Sequence, residues 1–178
     1  MNRKPVRIVL VGLPGSGKSS AGEALAKRLG WSFFDLDRLI EKQSGRTIPE
    51  IFAAVGEAGF RRLERDVTAW VAKTADVPFV VATGGGWIMD VRNVKALRRP
   101  GRMVYLKVSP EVALKRMGTA AGGRPLLLGD DPLARLKRLA ARREPVYALS
   151  DAVVDTETLD VEEVTNRLVF LASSLMEE

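Results

Sequence analysis

Val6-Arg-Ile-Val-Leu-Val11 running into Gly12-Leu-Pro-Gly-Ser-Gly17-Lys18-Ser19 is the stretch on which the fold turns. The apolar, β-branched run reads as a strand buried on both faces, as in a parallel sheet. It stops at Gly12, and from about Gly17 to Leu29 the residues Ala21, Leu25 and Leu29 recur at helical spacing. Between the two, G-x-x-x-x-G-K-[ST] is matched at every fixed position, with the strand before it and the helix after it that the motif requires. Its glycines let successive N–H groups converge on a phosphate, and the helix N-terminus adds partial positive charge. Gly15, Ser16, Gly17, Lys18, Ser19 and Ser20 are therefore the candidate nucleotide-phosphate residues. Lys18 would reach the β and γ phosphates, and Ser19 would offer a hydroxyl to Mg²⁺.

Working outward, Ser32–Leu36 reads as a second strand, followed by a short helix that stops at Gly45. Thr47-Ile-Pro-Glu50 is a capping box with proline in the first turn. It opens a helix expected to end near Gly56, before a longer helix, roughly Glu57–Lys73, with Phe60, Leu63, Val67, Trp70 and Val71 on its buried face. Phe79–Ala82 is a third strand, running into Gly84-Gly85-Gly86. A helix over Asp90–Arg98, a strand over Met103–Val108 and a helix over Glu111–Met117 follow, the last capped by Ser109 with Pro110 behind it. Gly118–Asp131, with glycines at 118, 122, 123 and 129, reads as a mobile loop of the length usually reserved for function. A helix from Asp131-Pro132 to about Ala148, a strand over Ala152–Val154 and a C-terminal helix capped by Asp160 and Glu163 complete the chain. Strands alternating with helices imply a three-layer α/β/α fold around a five-stranded parallel sheet.

The 178 residues suit one domain, 1–178. The chain has neither cysteine nor histidine, which excludes thiol catalysis, disulfides and every histidine-based triad or metal site. Chemistry is left to Asp, Glu, Lys, Arg, Ser and Thr. The formal charge of +6 is unevenly placed: residues 92–143 carry 14 of the 28 Lys and Arg against three acids. That half is built to meet anions, and a nucleotide or a phosphorylated product suits it as well as nucleic acid does. No apolar run is long enough for a membrane span or a signal-peptide core, so a soluble, cytoplasmic protein is expected.

Asp35 and Asp37 stand at the C-terminal end of the second strand, where open α/β sheets bind ligands. Beside a phosphate site one carboxylate can hold Mg²⁺ through water while the other accepts a hydrogen bond from a substrate hydroxyl; alternatively Asp37 simply caps the next helix. Arg61 and Glu64 share a helix face, so Glu64 can orient Arg61 while Arg61 grips a carboxylate, unless the two form only an exposed surface pair. Gly84, Gly85 and Gly86 either let a backbone N–H approach a ligand or make a plain tight turn.

Together these residues resemble one family, from about Arg7 to about Leu171. Gly-Leu-Pro-Gly-Ser-Gly-Lys-Ser, Asp-Leu-Asp, Gly-Arg-Thr-Ile-Pro-Glu-Ile-Phe, Gly-Glu-Ala-Gly-Phe-Arg-Arg-Leu-Glu, the glycine triplet, Arg-Pro-Leu-Leu and Arg-Arg-Glu-Pro-Val-Tyr occur in the order of a shikimate kinase. That family belongs to the nucleoside-monophosphate-kinase-like P-loop group. The resemblance implies a P-loop at 12–19, substrate-binding helices over about 37–74 and a mobile lid over about 118–131. It implies ATP-dependent phosphorylation of the 3-hydroxyl of shikimate, a step toward chorismate, with Mg²⁺ as the metal. Carried over, Asp37 binds the ring hydroxyls and Asp35 lies near Mg²⁺ with Ser19. Arg61 and Arg143 clamp the shikimate carboxylate, with Gly85 beside the ring, Arg124 descends with the lid onto the transferring phosphoryl group, and Arg116 stacks near the adenine.

Two positions depart from the family pattern. Trp87 follows the triplet where a small residue is usual and is read as core, and Asp155–Asp160 lacks a proline that commonly flanks the adenine. A gluconate-kinase-like enzyme shares the P-loop and fold, and a shikimate-sensing module could keep the fold without turnover. The expected partners are shikimate and ATP acting on a monomer, with neither nucleic acid nor membrane.

Overall fold

A computed structural model describes residues 6–74, 76–98 and 101–176. The strands β1 (Arg7–Val11), β2 (Ser32–Asp35), β3 (Phe79–Ala82), β4 (Arg102–Lys107) and β5 (Ala152–Asp155) form one parallel sheet in the order β2-β3-β1-β4-β5. Seven helices connect and cover it among the described residues: α1 (Lys18–Leu29), α2 (Leu36–Ser44), α3 (Ile48–Thr74), α4 (Val91–Leu97), α5 (Pro110–Met117), α6 (Pro132–Tyr147) and α7 (Val161–Met176). The chain leaves β1 toward one edge of the sheet and leaves β3 toward the other. The crevice at the carboxyl ends of these two neighbours is where such sheets bind ligands.

Alternation along the strands builds two cores. Val9, Val11, Phe79, Val81, Met103 and Tyr105 face α2–α6, whereas Ile8, Leu10, Val80, Val104 and Leu106 face α1 and α7. Trp87 belongs to the first core, fully buried, with its indole N–H donating to Thr68 Oγ1 at 2.9 Å. The expectation that it is core therefore holds.

Three expectations are corrected. The helices on either side of Gly56 are one element, α3, kinked where Gly56 takes φ 66° and ψ −177°. Trp70, expected on the buried face of α3, is 43% exposed and meets Phe34 edge-on. The buried stripe runs through Phe60, Glu64, Val67 and Val71, which leaves Trp70 at its margin. Gly118–Asp131, expected as a loop, contains two 3₁₀ turns, Gly118–Gly123 and Pro125–Leu127, anchored by buried Ala121 and Leu127. Among the described residues no helix is long and apolar enough to cross a membrane.

Candidate active site

After β1 the chain turns through Gly12 (φ 149°), Gly15 (φ 80°) and Gly17 (φ 90°) into α1. Side chains rarely adopt such backbone angles, and space forbids them too: a Cβ on Gly12 would lie 2.6 Å from the Leu106 carbonyl oxygen. Lys18 folds back over this loop, its ammonium donating to the carbonyls of Gly12 at 2.9 Å and Leu13 at 2.7 Å. Burial, and then the charge of Arg124, lower its pKa to about 7, against the opposing pull of Asp37 and Asp35. A cavity of about 550 Å³ opens over the loop, lined by Gly15, Ser16, Gly17, Lys18, Ser19 and Ser20 and, farther along, by Arg116, Thr156 and Leu159. Arg116, expected beside the adenine, donates to Thr156 Oγ1 at 3.1 Å and to the carbonyls of Thr156 and Leu159, so it ties α5 to the segment after β5.

The Asp-Leu-Asp step differs from its sequence reading. β2 ends at Asp35, and Asp35 itself caps α2 by accepting from the Arg38 N–H at 3.2 Å. Asp37 therefore stands in the first turn of α2, neither on a continued strand nor at the cap. The strand ends early because a carboxylate at its last residue can satisfy the first free N–H groups of the helix. Both carboxylates still border both cavities. The second Asp35 oxygen accepts from Ser19 Oγ at 2.6 Å. That hydroxyl and carboxylate are the hard oxygen donors that suit Mg²⁺. Among the described residues no group of three or more acidic side chains could cage a metal, which fits an ion held by one or two protein oxygens together with phosphate and water. Asp37 Oδ1 is buried without a hydrogen-bond partner. Burial, and then the charge of Asp35, push the Asp37 carboxyl above its usual range while Arg124 and Lys18 pull the other way.

A second cavity of about 330 Å³ adjoins the first across Pro14, Asp37, Gly85 and Arg124. One wall is apolar, with Ile48, Phe52, Phe60 and Leu139; the other is ionic, with Arg61, Glu64 and Arg143. Glu64 is 1% exposed and both its oxygens accept from Arg61 Nη1, at 3.1 and 3.0 Å, so the pair is no surface decoration. Burial pushes Glu64 up to about 7 even though Arg61 opposes the shift. Arg143, on the inner face of α6, is 5% exposed. Arg124 borders both cavities from between the two 3₁₀ turns, its Nε buried without a partner.

The glycine triplet is explained by contact. None of the three has positive φ, yet each lies where a Cβ would strike a site residue. On Gly84 it would sit 2.9 Å from Glu64 Oε1 and 3.1 Å from Asp37 Oδ1. On Gly85 it would sit 2.8 Å from Pro14 Cδ and 3.2 Å from Arg143 Nη1, and on Gly86 2.8 Å from Arg61 Cζ. The triplet is the floor on which Asp37, Arg61 and Arg143 are set, which goes beyond the tight-turn reading.

Four participants were missed in the sequence. Pro14 is a variable position of the P-loop motif, yet it is the wedge between the cavities. Glu57 takes Arg61 Nη2 at 3.1 Å; its position one helical turn before Arg61 was a readable signal. The backbone that receives Arg116 carries no side-chain signal. Tyr147 donates to the Gly85 carbonyl, and although it closes a quoted motif, nothing in the sequence says what it touches.

Comparison with known proteins points to one family. The model of one protein family, described as shikimate kinase, matches residues 14–172. The shikimate kinase of Symbiobacterium thermophilum is 51% identical over 144 residues, covering 80% of this chain and 82% of the relative. That of Moorella thermoacetica is 46% identical, with 86% of each chain covered. Among solved structures, the shikimate kinase of Acinetobacter baumannii in complex with shikimate superposes with a TM-score of 0.88 at 34% identity, over 97% of this chain and 95% of that one. A gluconokinase from Sinorhizobium meliloti, at a TM-score of 0.65 and 21% identity, shares the fold alone.

Proposed function

The chain belongs to the shikimate kinase family, and from that premise we propose how its own residues carry the family's reaction, phosphorylation of shikimate by ATP. ATP is the phosphoryl donor and Mg²⁺ its metal. In our reading the acceptor is the 3-hydroxyl. Its oxygen forms a bond to the γ-phosphorus as the bond to the β,γ-bridging oxygen breaks, and shikimate 3-phosphate and ADP leave.

The observation that carries this reading is the unpartnered Asp37 oxygen at the junction of the two cavities. A buried carboxylate with a free lone pair and a raised pKa is suited to accept a hydrogen bond from the attacking hydroxyl, and to take its proton as the new bond forms. Because phosphoryl transfer passes through a loose transition state, positioning and charge compensation carry most of the catalysis. Lys18 and Arg124 supply the compensation: Lys18 turns from the loop carbonyls to the β and γ phosphates, and Arg124 adds its charge from the lid. Ser19 and Asp35 would hold Mg²⁺, which supplies further neutralisation of the phosphate oxygens when bound.

Arg61, braced by Glu64 and Glu57, and Arg143 present planar forks to the substrate carboxylate, a match that lysine lacks. The apolar wall of Ile48, Phe52 and Phe60 suits the carbon face of the ring. Arg116 borders the far end of the nucleotide cavity, where the adenine would lie. We take residues 1–178 as one catalytic unit, with the P-loop at 12–19, the acceptor helices over 37–74 and the lid over 118–131. In our reading it acts as a monomer.

The test is a coupled assay with ATP, Mg²⁺ and a panel of shikimate, quinate and gluconate. Turnover is expected with shikimate; turnover with gluconate and none with shikimate would refute the acceptor assignment.

A further inference from the structure

Gly85 is held from two sides. Pro14 of the P-loop packs against one side, where a Cβ on Gly85 would come within 2.8 Å of its ring. On the other, the hydroxyl of Tyr147 donates to the Gly85 carbonyl. Tyr147 is 1% exposed and lies one turn after Arg143 on α6. Its ring stacks on Tyr105, with centroids 4.9 Å apart and planes inclined by 19°. The hydroxyl of Tyr105 goes to Glu144 rather than to the loop. The two tyrosines thus share one stack and divide the work: only Tyr147 touches the acceptor floor.

The contact fixes more than a carbonyl. In a trans peptide the C=O of one residue and the N–H of the next point in opposite directions. Holding the Gly85 oxygen against α6 therefore turns the Gly86 N–H away from α6. Gly86 lines the acceptor cavity against the Arg61 guanidinium, and no described residue accepts a hydrogen bond from its N–H. Glycine peptides rotate freely, and three in succession have no side chains to hold the plane. The carbonyls of Gly84 and Gly86 are tied locally, to the N–H groups of Trp87 and Met89 at 3.1 Å each. That of Gly85, the middle one, is tied only by the tyrosine among the described residues.

We propose that Tyr147 is a positioning residue for the acceptor, its hydroxyl locking the Gly85–Gly86 peptide so that Gly86 N–H, Arg61 and Arg143 form one fixed receptor for the substrate carboxylate. The proposal rests on the acceptor-site reading above. Tyr147 meets neither ATP nor the reacting oxygens, so its removal weakens shikimate binding and spares the nucleotide.

The experiment compares Tyr147→Phe, Tyr105→Phe and Arg143→Lys in the full chain by steady-state kinetics and thermal melting. Tyr147→Phe keeps the stacked ring and loses the hydroxyl's bond to the Gly85 carbonyl together with its contact to the Arg143 guanidinium, so KM for shikimate should rise about 5- to 30-fold. KM for ATP should stay within about 2-fold, a difference too small to count as a lost hydrogen bond. Tyr105→Phe loses the equivalent bond to Glu144 and should leave both KM values unchanged. A wild-type KM for shikimate in Tyr147→Phe overturns the proposal, as does an equal rise in both KM values alongside a lowered Tm, which is what a merely structural role gives. If Arg143→Lys also leaves KM for shikimate unchanged, the acceptor-site reading has failed; if it raises KM while Tyr147→Phe does not, only the proposal has failed.

A second measurement stands if Tyr147→Phe does not fold. The chain has two tyrosines, so in Tyr105→Phe a fluorotyrosine label reports on Tyr147 alone. Its ¹⁹F resonance should move on saturation with shikimate and not with ATP, and a resonance indifferent to shikimate overturns the proposal.

Discussion

Replacing Asp37 with asparagine keeps the shape of the side chain and removes its charge. Its Oδ1 is buried with no protein partner, so what the substitution takes from the complex is a charged hydrogen bond to the acceptor and the ability to receive its proton. The first is worth about 1.5–3 kcal/mol, or roughly 10- to 150-fold. The second adds up to ~10²–10⁴-fold where proton transfer is part of the transition state. A loose transition state needs little help from a base, so the loss in kcat/KM should lie near ~10²-fold, and at most ~10⁴-fold, rather than at the product of the two. Stability should move the other way. Asp35, not Asp37, caps α2, so the ~0.5–2 kcal/mol of a lost cap does not arise.

The folded-state pKa of Asp37 lies above the ordinary aspartate range, chiefly because the carboxyl is buried. The folded protein therefore binds this proton more tightly than the unfolded chain does. Its stability falls as pH rises from the unfolded value through the folded one, and the full penalty is present above both. Asparagine carries no such penalty. Asp37→Asn should melt at or above the wild type near about pH 8, and the gap should narrow toward about pH 4. Melting curves at the two pH values and shikimate kinetics test both arms. Near-normal kcat/KM, or a lower Tm with activity kept, would refute the reasoning.

Lys18→Ala should cost more than ~100-fold in turnover with Tm retained, since the ammonium serves phosphate charge and no core packing. Lys18 titrates near 7 in the ligand-free site and would be drawn to its charged form by phosphate. Nucleotide binding near about pH 8 should therefore take up a proton in wild type and not in the alanine variant, read by calorimetry in buffers of different ionisation enthalpy. Gly86→Ala drives a Cβ to 2.8 Å from Arg61 Cζ; KM for shikimate should rise about 10- to 100-fold with KM for ATP flat, and an unchanged shikimate KM would show the floor to be dispensable. Arg124→Ala should lower kcat by about 10²-fold or more while KM for shikimate moves little, and a change confined to KM would remove Arg124 from the phosphoryl group.

How much of this was legible depends on whether a residue acts through its own pattern or through what it meets. The P-loop was readable because strand, glycines, Lys18 and helix are contiguous, and local backbone geometry alone makes the site. Arg61 and Glu64 were readable as a pair because helical spacing fixes their proximity, but their burial was not: Glu64 lies in the apolar stripe of α3 at 1% exposure, which only packing against the glycine floor reveals. The helix cap, read at Asp37 and found at Asp35, shows the opposite limit. A strand that stops one residue earlier moves the cap from one carboxylate to the other, and boundaries of that size are set by tertiary contacts. The glycine triplet was recognised, but the packing that requires it was not legible, for a similar reason. Its φ values are ordinary, and the need for glycine comes from Asp37, Pro14, Arg143 and Arg61, which arrive from four other parts of the chain.

Those arrivals also explain why so many charges can be buried in one small site. Lys18 is pushed down to about 7, Glu64 up to about 7, and Asp37 upward as well; in each case burial is the largest cause. Such shifts mean that the charged forms are held at a cost while the site has no ligand, as buried ionised groups are when their pairing is incomplete. Polyphosphate beside Lys18, and a carboxylate and hydroxyl beside Arg61 and Asp37, supply the missing partners. The same groups that weaken the ligand-free protein then strengthen the complex. Ligands that bind only the folded chain raise its stability by mass action. Because Lys18 and Asp37 border the nucleotide cavity while Glu64 borders the acceptor cavity alone, each ligand relieves part of the burden, and the two together should raise Tm beyond either one.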